Sequence, residues 1–260
     1  ASLRTQAFLH NDVGNYTEAL TTSLRSLELL GGEASGDPEC GPIVIDVLGN
    51  ISWTHRCYGD YAAAGEYGMR ALGMAEERGD RLRQARLLNI LGNIYADSND
   101  LEAALQMGER SLRHYRDLGL RDGESVVLNN LALTYLELGN GAKALEACRE
   151  SLRIADEGDL ASVHLTALST LGEIYLGIKD FVQAEAFLNQ ALALSRERGA
   201  RYDEFLNLQN VGKVALGQHD AARARAYFEE ALTLAEVLNH RVGQFQCHKL
   251  LADLHEQAGE

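Results

Sequence analysis

At 260 residues and a formal net charge of -14, the chain is acidic enough to argue against nucleic acid as its direct ligand, since phosphate binding needs a concentrated basic face. Hydrophobic residues make up 46% with only two prolines; no apolar run approaches the roughly 20 residues of a membrane span, and the amino end carries no signal-peptide pattern. The four cysteines, Cys40, Cys57, Cys148 and Cys247, lack close-paired spacing, which points away from a disulfide scaffold and toward a reducing, cytoplasmic setting.

Read from the amino end, the first feature is a turn at Gly14-Asn15-Tyr16, and the same figure returns along the whole chain. Its Asp or Asn marker stands at Asn15, Asp60, Asp100, Asn140, Asp180 and Asp220, with Glu260 in the next place. The first interval is 45 (60 minus 15) and the rest are 40 (100 minus 60 and so on). Four residues past the first six markers stand Ala19, Ala64, Ala104, Ala144, Ala184 and Ala224; twelve past them stand Leu27, Leu72, Leu112, Leu152, Leu192 and Leu232. A fixed period near 40 means a solenoid, propeller or array. Apolar residues three and four apart, as in Leu88, Leu91, Ile94, Tyr95 and Leu168, Leu171, Ile174, Tyr175, favour helices over the strands of a propeller blade. Each unit therefore predicts a helix A, a turn at Gly-Asp or Gly-Asn, and a helix B.

Where helix A crosses helix B the chain places a large-small-aromatic pattern. It reads Leu91-Gly92, Leu131-Ala132, Leu171-Gly172, Val211-Gly212 and Leu251-Ala252, with Tyr95, Tyr135 and Tyr175 following, and the turn reads Gly59-Asp60-Tyr61 or Asp180-Phe181. This pattern resembles the tetratricopeptide repeat (TPR). The resemblance departs in the first unit (Gln6-Ala7, His10), the second (Ser52, His55) and the sixth (Ala215), lacks the late proline, and runs at 40 rather than the usual 34 residues. The longer period resembles Pins-type spindle-orientation adaptors and the sensor arrays of bacterial regulators. It implies an all-α fold, a right-handed superhelical solenoid of antiparallel helix pairs with about six full repeats plus a final helix. The expected organisation is a single array over 1–260, with repeats at about 1–44, 45–84, 85–124, 125–164, 165–204 and 205–244 and a last helix at 245–260.

The connection from Gly31 to Pro42 is the turn-rich stretch, holds both prolines and absorbs the five extra residues of the first interval. It reads as a tolerated loop insertion, or as a lid over one end of a groove. Later junctions fall at Gly79-Asp80, Asp122-Gly123, Gly158-Asp159, Gly199-Ala200 and Asn239-His240, glycine being the common helix stop. The turn signal at Gly259-Glu260 has nothing after it, so the chain is expected to be the repeat module of a longer protein. Lysine occurs only at 143, 179, 213 and 249 against 20 arginines (24 minus 4), a bias that suggests a GC-rich, bacterial source.

In TPR arrays the A helices line the inside of the superhelix, and curvature makes that face a concave groove. Projecting each A helix with its Leu-Gly stripe outward turns Asp46, Trp53 and Arg56, then Arg86, Asn89, Asn93 and Asp97, then Val126, Asn129, Leu133 and Glu137 toward it. Thr166, Ser169 and Glu173, then Gln209 and Lys213, then Lys249 and Asp253 continue the series, with Asn50, Asn130 and Asn210 at the edge. A primary amide donates and accepts at once, which suits an extended peptide backbone, and related arrays use groove asparagines that way. The other reading is that these amides bond across adjacent A helices or face water. Arg86 and Lys213 read as anchors for ligand carboxylates or as solvated charges, and Trp53 as a hot spot or as core.

None of the eight histidines stands four from another on one helix, as a metal pair would require; His10, His55 and His255 occupy the aromatic packing column. Gly-rich phosphate loops, nucleophile elbows and Cys-x-x-Cys are absent from the sequence. The expectation is therefore a non-catalytic module without cofactor or metal that binds a protein or peptide segment, as the sensor or adaptor part of a cytoplasmic regulator. The alternative is a self-association scaffold, a homodimer formed through an array end or the convex face.

Overall fold

The computed structural model describes residues 16–30 and 40–258, with backbone alone for Tyr16 and residues 255–258. The first A helix with its Gln6-Ala7 and His10, the turn at Gly14-Asn15, the connection over 31–39, the side chain of His255 and the Gly259-Glu260 signal lie outside the described residues. Among the described residues the secondary structure is twelve α-helices. They are α1 (Tyr16–Leu29), α2 (Cys40–Tyr58), α3 (Tyr61–Glu77), α4 (Arg81–Asp97), α5 (Leu101–Leu118) and α6 (Arg121–Glu137). Then come α7 (Gly141–Glu157), α8 (Ala161–Gly177), α9 (Phe181–Arg198), α10 (Arg201–Gly217), α11 (Ala221–Val237) and α12 (Arg241–Ala258). Even-numbered helices are the A helices.

The marker column has a physical identity. Asp60, Asp100, Asn140, Asp180 and Asp220 are the N-caps of α3, α5, α7, α9 and α11, each accepting a hydrogen bond from the backbone N–H three residues on. That bond satisfies one of the orphan donors of the first turn, worth about 1 kcal/mol per cap. Ala19, Ala64, Ala104, Ala144, Ala184 and Ala224, four residues into each B helix, are all buried. At two of the facing A helices a side chain would collide: a Cβ on Gly172 would lie 2.4 Å from Leu188, and one on Gly212 2.4 Å from Phe228.

Helix ends repeat twice as often as the sequence figure does. A left-handed residue stands at Gly59, Gly79, Asn99, Gly119, Gly139, Asp159, Lys179, Gly199, His219 and Asn239, spaced by 20 throughout. After each, the next N–H bonds back to the carbonyl five residues earlier, as in Asp60 to His55 at 3.0 Å and Ala200 to Ser195 at 2.9 Å. This is the Schellman closure, so each 40-residue unit is two helix-plus-stop modules of 20. The junction expected at Asp122-Gly123 is corrected by it: α5 stops at Gly119, and Asp122-Gly123 lies in the first turn of α6. The A helices start at Cys40, Arg81, Arg121, Ala161, Arg201 and Arg241, four or five residues ahead of the divisions drawn from the sequence. Gly41-Pro42 accordingly belongs to the first turn of α2, where proline's missing N–H costs nothing.

The chain forms two compact units, Ala1–Thr134 and Tyr135–Glu260, divided within α6. In the first, consecutive helices from α1 to α5 pack on one another and α2 also touches α4. Its core joins Val44, Ile45 and Leu48 of α2 to Ala64, Ala71 and Leu72 of α3 and Leu88, Leu91 and Ile94 of α4. In the second, α7 to α12 pack consecutively and α8 touches α10; Leu165, Leu168 and Ala191 form one cluster, and Ala215, Ala224, Phe228 and Leu254 another.

A further column fastens each A helix from α4 onward to the B helix before it. Gln84 and Gln244 donate their amides to the carbonyls of Ala75 and Ala235, at 3.0 and 3.2 Å. Buried Glu124 accepts from Arg116 and Arg121 at 2.8 and 2.7 Å, and buried Glu204 from Arg196 and Arg201, both at 3.0 Å. His164 lies 2.8 Å from Asp156. The chemistry changes while the contact persists from α4 to α12, because the side chain at this position meets the last turn of the preceding helix.

Candidate functional site

In the first unit the candidate residues come from α2, α4 and α6. Trp53 is partly exposed, with the Arg56 guanidinium 4.7 Å from its ring centroid. Arg56 also sits 2.6 Å from Asp97, so ring, cation and carboxylate tie α2 to α4. Asn130 Nδ2 donates to Asn89 Oδ1 at 3.0 Å. Asn93 is half-buried one turn beyond Asn89, and Arg86 is exposed; these two stand apart from the amide pair's hydrogen bond. Asp46 is spent on structure: Arg83 clamps it with two bonds, at 2.9 and 3.1 Å, and reaches Asp80 at 2.6 Å.

In the second unit α8 and α10 build a tighter group. Asn210 Nδ2 donates to Glu173 Oε1 at 2.8 Å, and Lys213 Nζ donates to Asn210 Oδ1 at 3.1 Å. One amide thus bridges a carboxylate and an ammonium. Burial pushes the Glu173 carboxyl above its usual range, against the opposing pull of the Asn210 bond and the Lys213 charge. The group opens into a cavity of about 690 Å³, whose polar wall is completed by Gln246, Lys249 and Asp253 of α12. Leu206 and Leu250 supply apolar wall.

Asn129, Gln209 and Asn210 are all buried, and Gln209 and Asn210 nevertheless line the cavity. Gln209 donates to Cys247 Sγ on α12 at 3.3 Å, because the position nine residues into one A helix lies against the position seven residues into the next. Projecting a single helix does not register that neighbour. Sequence reasoning also passed over Gln246, Leu206 and Leu250, which stand three or four residues from Lys249, Gln209 and Asp253 on the same helices; that spacing was the available signal.

Consecutive antiparallel helix pairs with polar residues recurring on the A helices define a helical repeat protein. Residues 59–117 and 124–197 match the tetratricopeptide repeat family model, and the chain belongs to that family. No curated relative matches it. Among solved structures it is similar to BtubC (BKLC) from P. vanneervenii, with 19% identity, 89% of this chain and 92% of that one covered, and a TM-score of 0.66. A Rap protein complexed with Competence and Sporulation Factor matches at 13% identity over 98% of this chain and 74% of the other, TM-score 0.72. A signal transduction ATPase with numerous domains and a tetratricopeptide repeat sensor, from Pyrococcus horikoshii, matches at 14% identity and TM-score 0.71. There the match spans 99% of this chain but 39% of the other. Identities this low speak to fold alone. Among the described residues no helix is long and apolar enough to cross a membrane.

Proposed function

We propose that the chain captures a peptide or protein segment along the polar faces of its A helices, without catalysis, as the sensor or adaptor part of a cytoplasmic regulatory protein. The observation that carries this reading is the Glu173-Asn210-Lys213 group at the wall of a cavity of about 690 Å³, within the roughly 300–1,000 Å³ usual for ligand sites. Lys213 is held by an amide rather than by a carboxylate, so its charge stays available to a ligand carbonyl or carboxylate. In the first unit the Asn89-Asn130 pair uses one donor and one acceptor on itself, which leaves a donor on Asn89 and an acceptor on Asn130 for an extended backbone. Two of the similar structures, a tetratricopeptide repeat sensor and a Rap protein bound to a factor, are consistent with such a role. Selecting binders from a random-peptide display library on the immobilised chain tests it. Selected peptides should lose affinity on Asn210→Ala and Lys213→Ala and keep it on Glu229→Ala, an exposed residue of α11. Equal binding to all three would remove the basis for the groove.

A further inference from the structure

Asn210 is buried, and both ends of its amide are spent, Nδ2 on Glu173 and Oδ1 on Lys213. Turned over, the amide would set oxygen against carboxylate and N–H against ammonium, so the charges on its two sides hold it in one orientation. Glu173 and Lys213 therefore keep a fixed separation, with opposite charges at the two ends of one rigid plane. Asn130, two repeats before Asn210, bonds instead to Asn89, and that link contains no titrating group. Only in the second unit does the amide join a charge that a proton can remove to one that a guest can reach, both on the wall of the same cavity.

The groups around the Glu173 carboxyl come from each helix packed on α8 and from α12. Burial raises the carboxyl; the Asn210 bond and then the Lys213 charge, both from α10, oppose it. From α7 comes Cys148, a buried thiol pushed up to about 12 by burial and by the Glu173 charge, so it stays neutral beside the carboxyl. Helix α9 meets α8 through Leu188 at Gly172, an apolar contact. Helix α12 brings Lys249 and Asp253, of opposite sign, to the cavity wall. An anion that pairs with Lys213 cancels that ammonium's pull on Glu173 and leaves burial opposed by the Asn210 bond alone. We propose that binding an anionic group at Lys213 and taking a proton onto Glu173 are one coupled event, so that the cavity holds acidic segments more tightly as pH falls. The inference rests on the capture reading and adds to it the sign of the guest's charge and its control by pH. The proton comes from solvent and goes to a carboxylate oxygen of Glu173; no bond of the guest is made or broken. By reciprocity, a proton on Glu173 removes a negative charge that the guest's own anion would otherwise face. Affinity should rise from neutral pH toward about 5 and fall below about 4, where the guest's carboxylate itself protonates.

Titration calorimetry of the 260-residue chain in two buffers of unlike ionisation enthalpy counts the protons taken up per peptide bound. The probe is a library-selected peptide that contains Asp or Glu and no His; its twin, with Asn or Gln in place of each acid, is the control. At about pH 5.5, between the ordinary carboxylate value and neutrality, the natural chain should take up a fraction of one proton as the acidic peptide binds. Its affinity should be about tenfold higher there than at about pH 7.5. Glu173→Gln, its helicity checked by circular dichroism, should show neither the uptake nor the pH dependence, and the amide twin should show neither on the natural chain. Binding with no proton uptake, equal uptake by the natural chain and Glu173→Gln, or a selection that returns no acidic binder would each overturn this proposal and leave peptide capture standing. Peptides whose binding ignores Lys213→Ala would overturn both.

Discussion

Asn130 donates its amide to Asn89, 41 residues earlier and one A helix away, at 3.0 Å. Side chains that a single-helix projection treats as independent ligands for a guest are thus partners of each other. The bond fixes both amide planes before any ligand arrives, and preorganised polar groups lose less entropy on binding than free ones. The same division holds in the second unit, where Asn210 spends one end on Glu173 and the other on Lys213.

The coupling between Asn89 and Asn130 is expected to be about 0.5–1.5 kcal/mol, the net worth of a partly buried neutral hydrogen bond. A double-mutant cycle of Asn89→Ala and Asn130→Ala in urea unfolding measures it. Additive losses would mean that the two amides act independently in solution.

Glu173→Gln tests the buried carboxylate through pH. The native carboxyl is raised above its ordinary value of 4.5 by burial, so the native state holds this proton more tightly than the unfolded chain does. The cost of ionising it is absent below 4.5, grows as pH rises through the native value, and is complete above it. The glutamine variant keeps the acceptor for Asn210 and avoids that cost. Its stability relative to the natural chain should climb from acid to neutral pH in urea melts; a variant less stable at neutrality would show that the charged carboxylate is net favourable beside Asn210 and Lys213.

Lys179 and His219 hold left-handed backbone, at φ of 62° and 63°, in a column where five of the ten members are glycine. A side chain there carries a steric cost of roughly 1 kcal/mol that glycine avoids. Lys179→Gly and His219→Gly should each stabilise the chain by about 0.5–1 kcal/mol, read as a rise in melting temperature. A fall would show that these side chains make contacts worth more than the relief.

Asn207 is fully buried, and neither its amide nitrogen nor its oxygen has a hydrogen-bond partner. The same position is Val47, Leu87, Val127 and Ala167 in earlier units, all buried. Asn207→Val removes a desolvated amide and should add about 1–2 kcal/mol of stability in chemical unfolding. A loss would indicate that a bound water satisfies the amide.

The sequence made the repeat legible because its two strictest columns answer to local physics. The Asp or Asn that caps each B helix and the alanine under the helix crossing tolerate few replacements. The 20-residue period of helix stops was hidden, since asparagine, aspartate, lysine and histidine share the left-handed position with glycine and only backbone angles unite them. Asp122-Gly123 drew the eye as a turn pair while Gly119 did the stopping. The direction of Lys213 and Glu173 follows from one helix, whereas the burial of Asn129, Gln209 and Asn210 depends on neighbouring helices. The Glu124 and Glu204 fastenings went unseen for a related reason: an acidic residue in a first turn reads as solvated until its two arginines are placed.

The proposed guest segment would lie in the cavity walled by Glu173, Asn210 and Lys213. A photo-reactive phenylalanine analogue placed at Leu250, on the cavity wall, or at Val182, on the exposed surface of α9, tests it with a library-selected peptide and mass spectrometry. Adducts at position 250 that unlabelled peptide competes away, with none at 182, are the predicted result; adducts at 182 alone, or at both without competition, would contradict the account.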